Sequence, residues 1–462
     1  MSSSVNPLSS LTDSLGSSSS SSSSSTTGTG LGQGIDVQQF VKFAIAGQQA
    51  NITALQTQQT ALNSQTSELA TISSDFLSLD NAAFALRDPL GALGAQVASS
   101  SNSGVVSATA SSIATPGSHS ITVTSLATTA SYYSNQLQGN ATISSGSFQV
   151  QVGSNSPVTV TVDATNNTLS QLAASINSQG LGVTASVIQD ANGYRLALVS
   201  NSSGAPGDIT VLNNTTGLSF TKAVTGANAA LTVDGVPISS ASNTVSNVIN
   251  GVTLSLGSAS PNTPITINVS PDTTQATTAI NNMVSAYNTV ISEINKQFQI
   301  GSDGTVGGSL EADNSLRDVQ SMLLGAISYS VTGNNGIVNL ASMGVNMNDD
   351  GTLSVDNGTL QSALSSNFSA VQNLLQNSST GLAQNLGNVV RNINAPSTGI
   401  LSIDSQSIQS ASNGLTQQIN DLEASLLVQV ANLTKTYSQV NTTLQELPLL
   451  IAQLNQQIAG LG

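Results

Sequence analysis

Apolar residues near the N-terminus follow a helical spacing. Leu55, Leu62 and Leu69 are seven residues apart, and later apolar positions alternate steps of three and four. This second series consists of Leu69, Ile72, Phe76, Leu79, Ala83 and Leu86. Asp88-Pro89 then interrupts the pattern, because proline disfavours a helical residue before it. The spacing predicts a long helix from residue 35 to about residue 90 with a coiled-coil seam.

A second helical pattern occupies the C-terminal end. It consists of Leu415, Ile419, Leu422, Leu426, Val430, Leu433, Tyr437, Val440, Leu444, Leu447, Ile451, Leu454, Ile458 and Leu461. Two consecutive steps of four, Leu422 to Leu426 to Val430, predict a local eleven-residue unit that relaxes the supercoil. Pro448 lacks an amide proton and predicts a kink or a restart of the helix near Leu447. Residues 448–462 are therefore expected to form a separate tip.

Between these ends the period of the apolar pattern falls to two, which is typical of strands. Strands are predicted at 105–110 and 121–126, and Asp234-Gly235 predicts a tight hairpin. Residues 169–178 have one apolar face and predict a short helix between strands. Because strands resume after this unit, the second β region is predicted to be inserted into the first.

These patterns predict an α+β multidomain protein, in which long terminal helices form a helical, coiled-coil leg domain and two β-rich head domains are inserted between them. The expected division is a disordered serine-rich tail (1–34), an N-terminal leg segment (35–92), the first part of a β head (93–138), an inserted β domain (139–224), the second part of the head (225–275), a C-terminal helical leg domain (276–447) and a leg tip (448–462).

The composition narrows the possible partners. Of the 462 residues, 7% are charged, the net charge is −15, and cysteine is absent. The eight basic residues are scattered singly, so we expect no nucleic-acid partner and no attraction to anionic lipid. The long helices are too rich in Gln, Thr and Asn to span a bilayer, so membrane insertion is not expected. Residues 1–34 have no basic and apolar regions of a cleaved signal peptide, which predicts another export route.

Two motifs suggest chemistry but do not complete it. His119 is the single histidine, and its alternation with Ile121 and Val123 places it on the inner face of a strand. The run from Asn346 to Asn357 resembles the start of a calcium loop but lacks the final bidentate glutamate. We therefore expect no catalytic residue, no metal site and no cofactor.

Several segments resemble one family in the same order along the chain. The segment "LSQLAASINSQGLGVTASVIQDANGYRLALVS" resembles the repeat of flagellins and hook-associated proteins, with an Ile-Asn pair ending a short helix. Residues 34–86 and 107–128 resemble the N-terminal half of the flagellar filament cap family, hook-associated protein 2. Its C-terminal half is matched by residues 231–256, 315–323, 340–364 and 397–423.

The resemblance implies a non-enzymatic cap at the filament tip. It implies a homo-oligomeric ring, commonly a pentamer, that contacts flagellin, retains it and promotes its folding and polymerisation. It also implies secretion through the flagellar type III route, with an export chaperone as a further partner. An extracellular adhesin with β heads on coiled-coil stalks remains the alternative. The residues expected to form the self-assembly seam of the legs are Leu55, Leu62, Leu69, Ile72, Phe76, Leu79, Leu433, Val440, Leu444, Leu447, Ile451, Leu454, Ile458 and Leu461.

Overall fold

The computed structural model describes residues 36–139, 141–299 and 307–459. The predicted tail, residues 1–34, lies outside this part. The helices are α1 (Val37–Arg87), α2 (Leu169–Ser178), α3 (Thr273–Phe298), α4 (Asn314–Ile327), α5 (Asn357–Ser366), α6 (Phe368–Gln376), α7 (Leu382–Ile393) and α8 (Ile400–Ala459). Helix α1 begins where the Asp36 carboxylate accepts a hydrogen bond from the Gln39 amide, and it ends before Pro89, as predicted.

The strands lie mainly between α1 and α3. They are β1 (Gln96–Ser100), β2 (Val106–Ala110), β3 (Gly117–Ser125), β4 (Thr129–Ser134), β5 (Gly146–Val152), β6 (Val158–Val162), β7 (Val183–Asp190), β8 (Gly193–Ser203), β9 (Ile209–Leu212), β10 (Phe220–Val224), β11 (Ala229–Val233), β12 (Val236–Ser240), β13 (Thr244–Ile249), β14 (Val252–Leu256), β15 (Ser260–Pro271), β16 (Val345–Met347) and β17 (Leu353–Val355).

The first β domain packs two antiparallel sheets. One has the order β1-β15-β3-β11-β12 and the other the order β13-β14-β2. Residues from both sheets, including Ile121, Val123 and Leu254, share one apolar core. The predicted hairpin joins β11 to β12, and both of its turn residues have positive φ, 50° at Asp234 and 83° at Gly235.

The inserted β domain has sheets of order β10-β4-β8-β7 and β6-β5-β9. Helix α2 buries Leu169, Leu172, Ala173 and Ile176 in its core. Strand β4 lies before the predicted boundary at residue 139, yet it pairs with β8 and β10 of this domain. The insertion therefore begins near Thr128, whose bridge to Ala227 joins the two ends of the inserted segment.

The helical body packs the C-terminal half of α1 against α3 and α7, and α4 packs on α7, around one large core. Leu69, Phe76, Tyr287 and Leu386 are fully or almost fully buried there. Burial raises the pKa of the Tyr287 hydroxyl to about 12. The small hairpin β16–β17 contributes Val345 and Leu353 to the same core.

Candidate assembly surface

Beyond the helical body, the N-terminal part of α1 packs antiparallel on the C-terminal part of α8. We call this pair, residues 37–55 and 419–459, the leg. Its own apolar cluster consists of Val41, Ile45, Ile52, Ile419, Leu426 and Val430. Leu55, Leu433 and Tyr437 pack against this cluster, and the rings of Phe40 and Tyr437 are 5.8 Å apart between centroids. The predicted seam residues Leu55 and Leu433 therefore join the two helices of one chain.

A polar belt separates the leg cluster from the core of the body. Three cross-helix hydrogen bonds form it, Gln56 to Glu423 at 3.4 Å, Gln59 to Thr416 at 2.6 Å and Ser412 to Asn63 at 3.4 Å. The predicted seam residue Leu62 lies at this level and is half-buried. Polar residues at a helix interface favour one register over others, because a shift leaves them without partners.

The register of α8 differs from the predicted one at a single turn. Leu422 is 39% exposed, whereas Glu423 is 8% exposed and faces α1. The buried series thus runs Ile419, Glu423, Leu426, Val430, in steps of four, three and four. The predicted eleven-residue unit is therefore wrong here, because a glutamate occupies a position that a count of apolar residues passes over.

The inner seam residues belong to the body of the chain. Leu69, Ile72, Phe76 and Leu79 are at most 2% exposed, and they pack in the core with α3, α4 and α7. In this fold they are not available to a second subunit. Their heptad spacing reflects packing within one chain. Among the predicted seam residues, only those on the outer part of α8 therefore remain candidates for contact with another subunit.

The outer seam residues form an exposed stripe on α8. Val440 is 44% exposed, and Ile451, Leu454 and Ile458 are 41–63% exposed. Leu444 and Leu447 between them are half-buried, and Leu461 lies outside the described residues. The helix continues through Pro448 instead of restarting there. The neighbouring Leu449 and Leu450 are 72% and 67% exposed, so this end of the described helix carries a large apolar surface.

His119 lies on β3 in line with Ile121 and Val123, as predicted, and it pairs with an aspartate. Its Nδ1 is 2.8 Å from an Asp234 carboxylate oxygen, and the other oxygen accepts the Ser120 amide. These hydrogen bonds hold the pKa of Asp234 below its usual range, and the one with His119 has the largest effect. The pair attaches the β11–β12 turn to β3, which is a structural role.

The segment from Asn346 to Asn357, which resembles a calcium loop, forms a turn whose carboxylates accept hydrogen bonds from residues close by in the chain. The Asp350 carboxylate accepts hydrogen bonds from the amide and the hydroxyl of Thr352, and Asp356 caps α5. Within the described residues, no group of three or more metal-ligating side chains comes together. No helix in the same part of the chain has the length and apolar character needed to cross a membrane.

Comparisons with known proteins decide the family. The N-terminal model of flagellar hook-associated protein 2 matches residues 33–130, and the C-terminal model matches residues 226–448. The B-type flagellar hook-associated protein 2 of Pseudomonas aeruginosa is 30% identical over 352 residues, which cover 70% of this chain and 74% of that protein. The chain belongs to the flagellar hook-associated protein 2 family. This is a family of structural flagellar proteins and is not known as an enzyme family.

Further relatives extend the similarity over nearly the whole chain. Flagellar hook-associated protein 2 of Escherichia coli K12 is 28% identical over 452 residues, 92% of this chain and 96% of that protein. The crystal structure of the D1-D2-D3 domains of the E. coli flagellar cap protein FliD superposes with a TM-score of 0.56 at 27% identity. It covers 74% of this chain and 99% of that one. The flagellin hook IN motif matches residues 147–202 of the inserted domain.

Proposed function

We propose that this protein is the cap of a bacterial flagellar filament, acting outside the cell at the filament tip. The observation that carries the proposal is the likeness, in one chain order, to the E. coli cap protein over all three of its crystallised domains. The two β domains correspond to the head of the cap, and the paired terminal helices correspond to legs that reach toward the filament.

The exposed stripe of α8 provides the leg with an apolar binding surface. Val440, Ile451, Leu454 and Ile458 lie along one helix and are well exposed. Burying one such side chain contributes about 1.5–3 kcal/mol, so several together supply a strong contact with the filament tip. In this proposal the stripe, with Leu444, Leu447 and Leu461, docks on filament or neighbouring subunits, and flagellin delivered beneath the head is retained, folds and polymerises there.

The same proposal includes a homo-oligomeric ring, for which we take the pentamer that the family resemblance implies. The surface suits self-association, because only 7% of the residues are charged and neutral polar groups do not repel each other over long distances. Export through the flagellar type III route with the help of a chaperone completes the proposal, and the chain contains no cysteine that would need a disulfide-forming compartment.

Deletion of the gene in its source bacterium tests this function. We expect cells without filaments that still export flagellin into the medium, because a cap retains subunits but does not drive secretion. Full-length protein supplied in trans should restore filaments. A deletion strain that grows filaments of normal length would overturn the proposal.

A further inference from the structure

Helix α1 carries an acidic flank where it passes α3. Glu68 and Asp75 of α1 lie near Glu293 and Lys296 of α3, and a single ion pair of 2.9 Å joins Lys296 to Glu293. Three carboxylates thus share one ammonium group. Burial, followed by the nearby Glu293 charge, raises the pKa of Asp75. Acidic groups therefore outnumber basic ones on this flank.

The opposite flank of α1, beside α7, is basic. Arg391 of α7 lies 3.0 Å from the Asp80 carboxylate, and Arg87 lies 3.8 Å from the same oxygen. Two guanidinium groups thus share one carboxylate. Nη1 of Arg87 is buried and has no hydrogen-bond partner among the described residues. The pKa of Arg87 is lowered mainly by burial and then by the Arg391 charge. Basic groups therefore outnumber acidic ones on this flank.

Exposed apolar side chains adjoin the basic flank. Leu77 is 59% exposed and Phe84 is 52% exposed, and the Arg87 guanidinium carbon is 5.1 Å from the Phe84 ring centroid. Leu77 also lines an open cavity of about 460 Å³ between α1, the start of α8 and Pro396. Aromatic residues and arginine are enriched in protein interfaces relative to the rest of the surface.

We propose that the basic flank of one copy, defined by Leu77, Phe84, Arg87 and Arg391, binds the acidic flank of a second copy, defined by Glu68, Asp75 and Glu293. At 100° per residue around α1, Leu77 and Phe84 lie about 160–180° from the two acidic-flank residues of this helix, and Arg87 lies about 100–120° from them. One copy can therefore contact a neighbour on each side. A contact between two different surfaces generates a ring when its rotation closes, whereas a two-fold contact stops at a dimer.

A second copy fits these flanks better than an unrelated partner, because the excess charge of each flank is opposite in sign to that of the other. Arg87 follows Asp75 by twelve positions, roughly 18 Å along a helix at 1.5 Å per residue. A closed ring therefore requires α1 to be inclined to the ring axis. This inference rests on the proposed ring and adds the surface that holds it together.

Charge reversal at Arg391 tests the contact. Assembly of full-length protein is followed by sedimentation velocity over a range of concentrations and salt. We expect Arg391→Glu to raise the concentration for half-assembly at least about tenfold at low salt, a change of about 1.4 kcal/mol. Arg195→Glu is the matched control, because Arg195 also forms an ion pair with an aspartate, Asp190, but lies in the inserted domain. Assembly of Arg391→Glu at the wild-type concentration would overturn the proposal.

A second variant guards against unfolding caused by loss of the Asp80 pair. The double substitution Leu77→Ser with Phe84→Ser changes exposed side chains, so the melting temperature of the monomer should not fall. We expect the same weakening of assembly, whereas Ile113→Ser, 60% exposed in the first β domain, should assemble normally.

The outcomes separate the contact from the ring itself. If wild-type protein stays monomeric at every protein and salt concentration, the proposed ring does not form, and the proposed contact is wrong as well. If wild-type protein forms rings and the Leu77/Phe84 variant forms them equally well, the proposed surface is wrong while the ring stands.

Discussion

The side chain of Asn177 satisfies both backbone groups of Ala185. Its amide nitrogen donates to the Ala185 carbonyl at 2.8 Å, and its amide oxygen accepts from the Ala185 amide at 2.7 Å. The preceding residue, Ile176, is fully buried in the core of the inserted domain. The Ile-Asn pair therefore attaches the end of α2 to β7 from two sides, which gives the flagellin hook IN motif a physical role.

Replacing Asn177 with alanine should destabilise the inserted domain. The change removes two hydrogen bonds and leaves two partly buried backbone groups of Ala185 without partners, at a cost of about 1–3 kcal/mol. Asn155→Ala is the control, because Asn155 lies exposed in the turn after β5. Urea unfolding measures both variants. Equal unfolding midpoints for Asn177→Ala and wild type would show that the two hydrogen bonds contribute nothing.

The register of the leg is tested by two neighbouring leucines of α8. Leu426 is 2% exposed in the leg cluster, so Leu426→Ala should cost about 2 kcal/mol or more. Leu422 is 39% exposed, and Leu422→Ala should change stability by no more than about 0.5 kcal/mol. Amide hydrogen exchange in the leg reports both. A larger loss of stability for Leu422→Ala than for Leu426→Ala would show that Leu422 faces α1, as the spacing of apolar residues predicts.

Elements set by local sequence are predictable, whereas those that depend on distant partners are not. The helix α1, the hairpin at Asp234 and the short helix α2 follow from local spacing and turn chemistry, and the structure confirms them. The predicted boundary at residue 139 leaves β4 in the wrong domain, because its partners β8 and β10 lie far away in the sequence. The buried position of Glu423 does not follow from the sequence pattern, because a charged residue at a helix interface does not contribute to an apolar spacing.

The candidate surfaces were only partly predictable for the same reason. The outer stripe from Val440 to Ile458 was visible as a heptad, but its exposure depends on which helices reach it. The flanks of α1 were not visible, because their charges come from residues scattered along the chain. Asp80 and Arg391, for example, are 311 positions apart, and only the folded body brings them together.

Asp75 should make stability depend on pH in a definite direction. Its pKa in the folded protein is raised by burial and by Glu293 above the unfolded value of about 3.9. The charged form thus costs stability at neutral pH, and this cost is relieved as pH falls through the folded pKa toward the unfolded one. We expect Asp75→Asn to be more stable than wild type at pH 7, with the difference shrinking below the folded pKa.

Urea unfolding of dilute, monomeric protein at several pH values measures this effect, with the exposed Asp421→Asn as the control. The same Asp75→Asn variant removes a charge from the acidic flank, so its assembly should weaken although its monomer gains stability. A loss of monomer stability at pH 7 would contradict the raised pKa of Asp75.

Removal of residues 449–462 should separate folding from function. The described side chains from Leu449 to Ile458 are exposed, so the melting temperature of the truncated monomer should match that of wild type. Filament growth should nevertheless fail, because the truncation removes Ile451, Leu454 and Ile458 from the exposed stripe. Complementation of the deletion strain measures it. If the truncated monomer melts at a lower temperature than wild type, residues 449–462 belong to a folded core. If the truncated protein restores motility, the exposed stripe is not needed for function.

The most direct test of the cap assignment is the position of the protein on the cell. A peptide tag inserted after Ser154, in the exposed turn between β5 and β6, can be labelled with gold-conjugated antibody and imaged by electron microscopy on cells with growing filaments. We predict a single cluster of label at the distal end of each filament. Label spread over the cell surface or along the filament shaft, as an adhesin would give, would contradict the account.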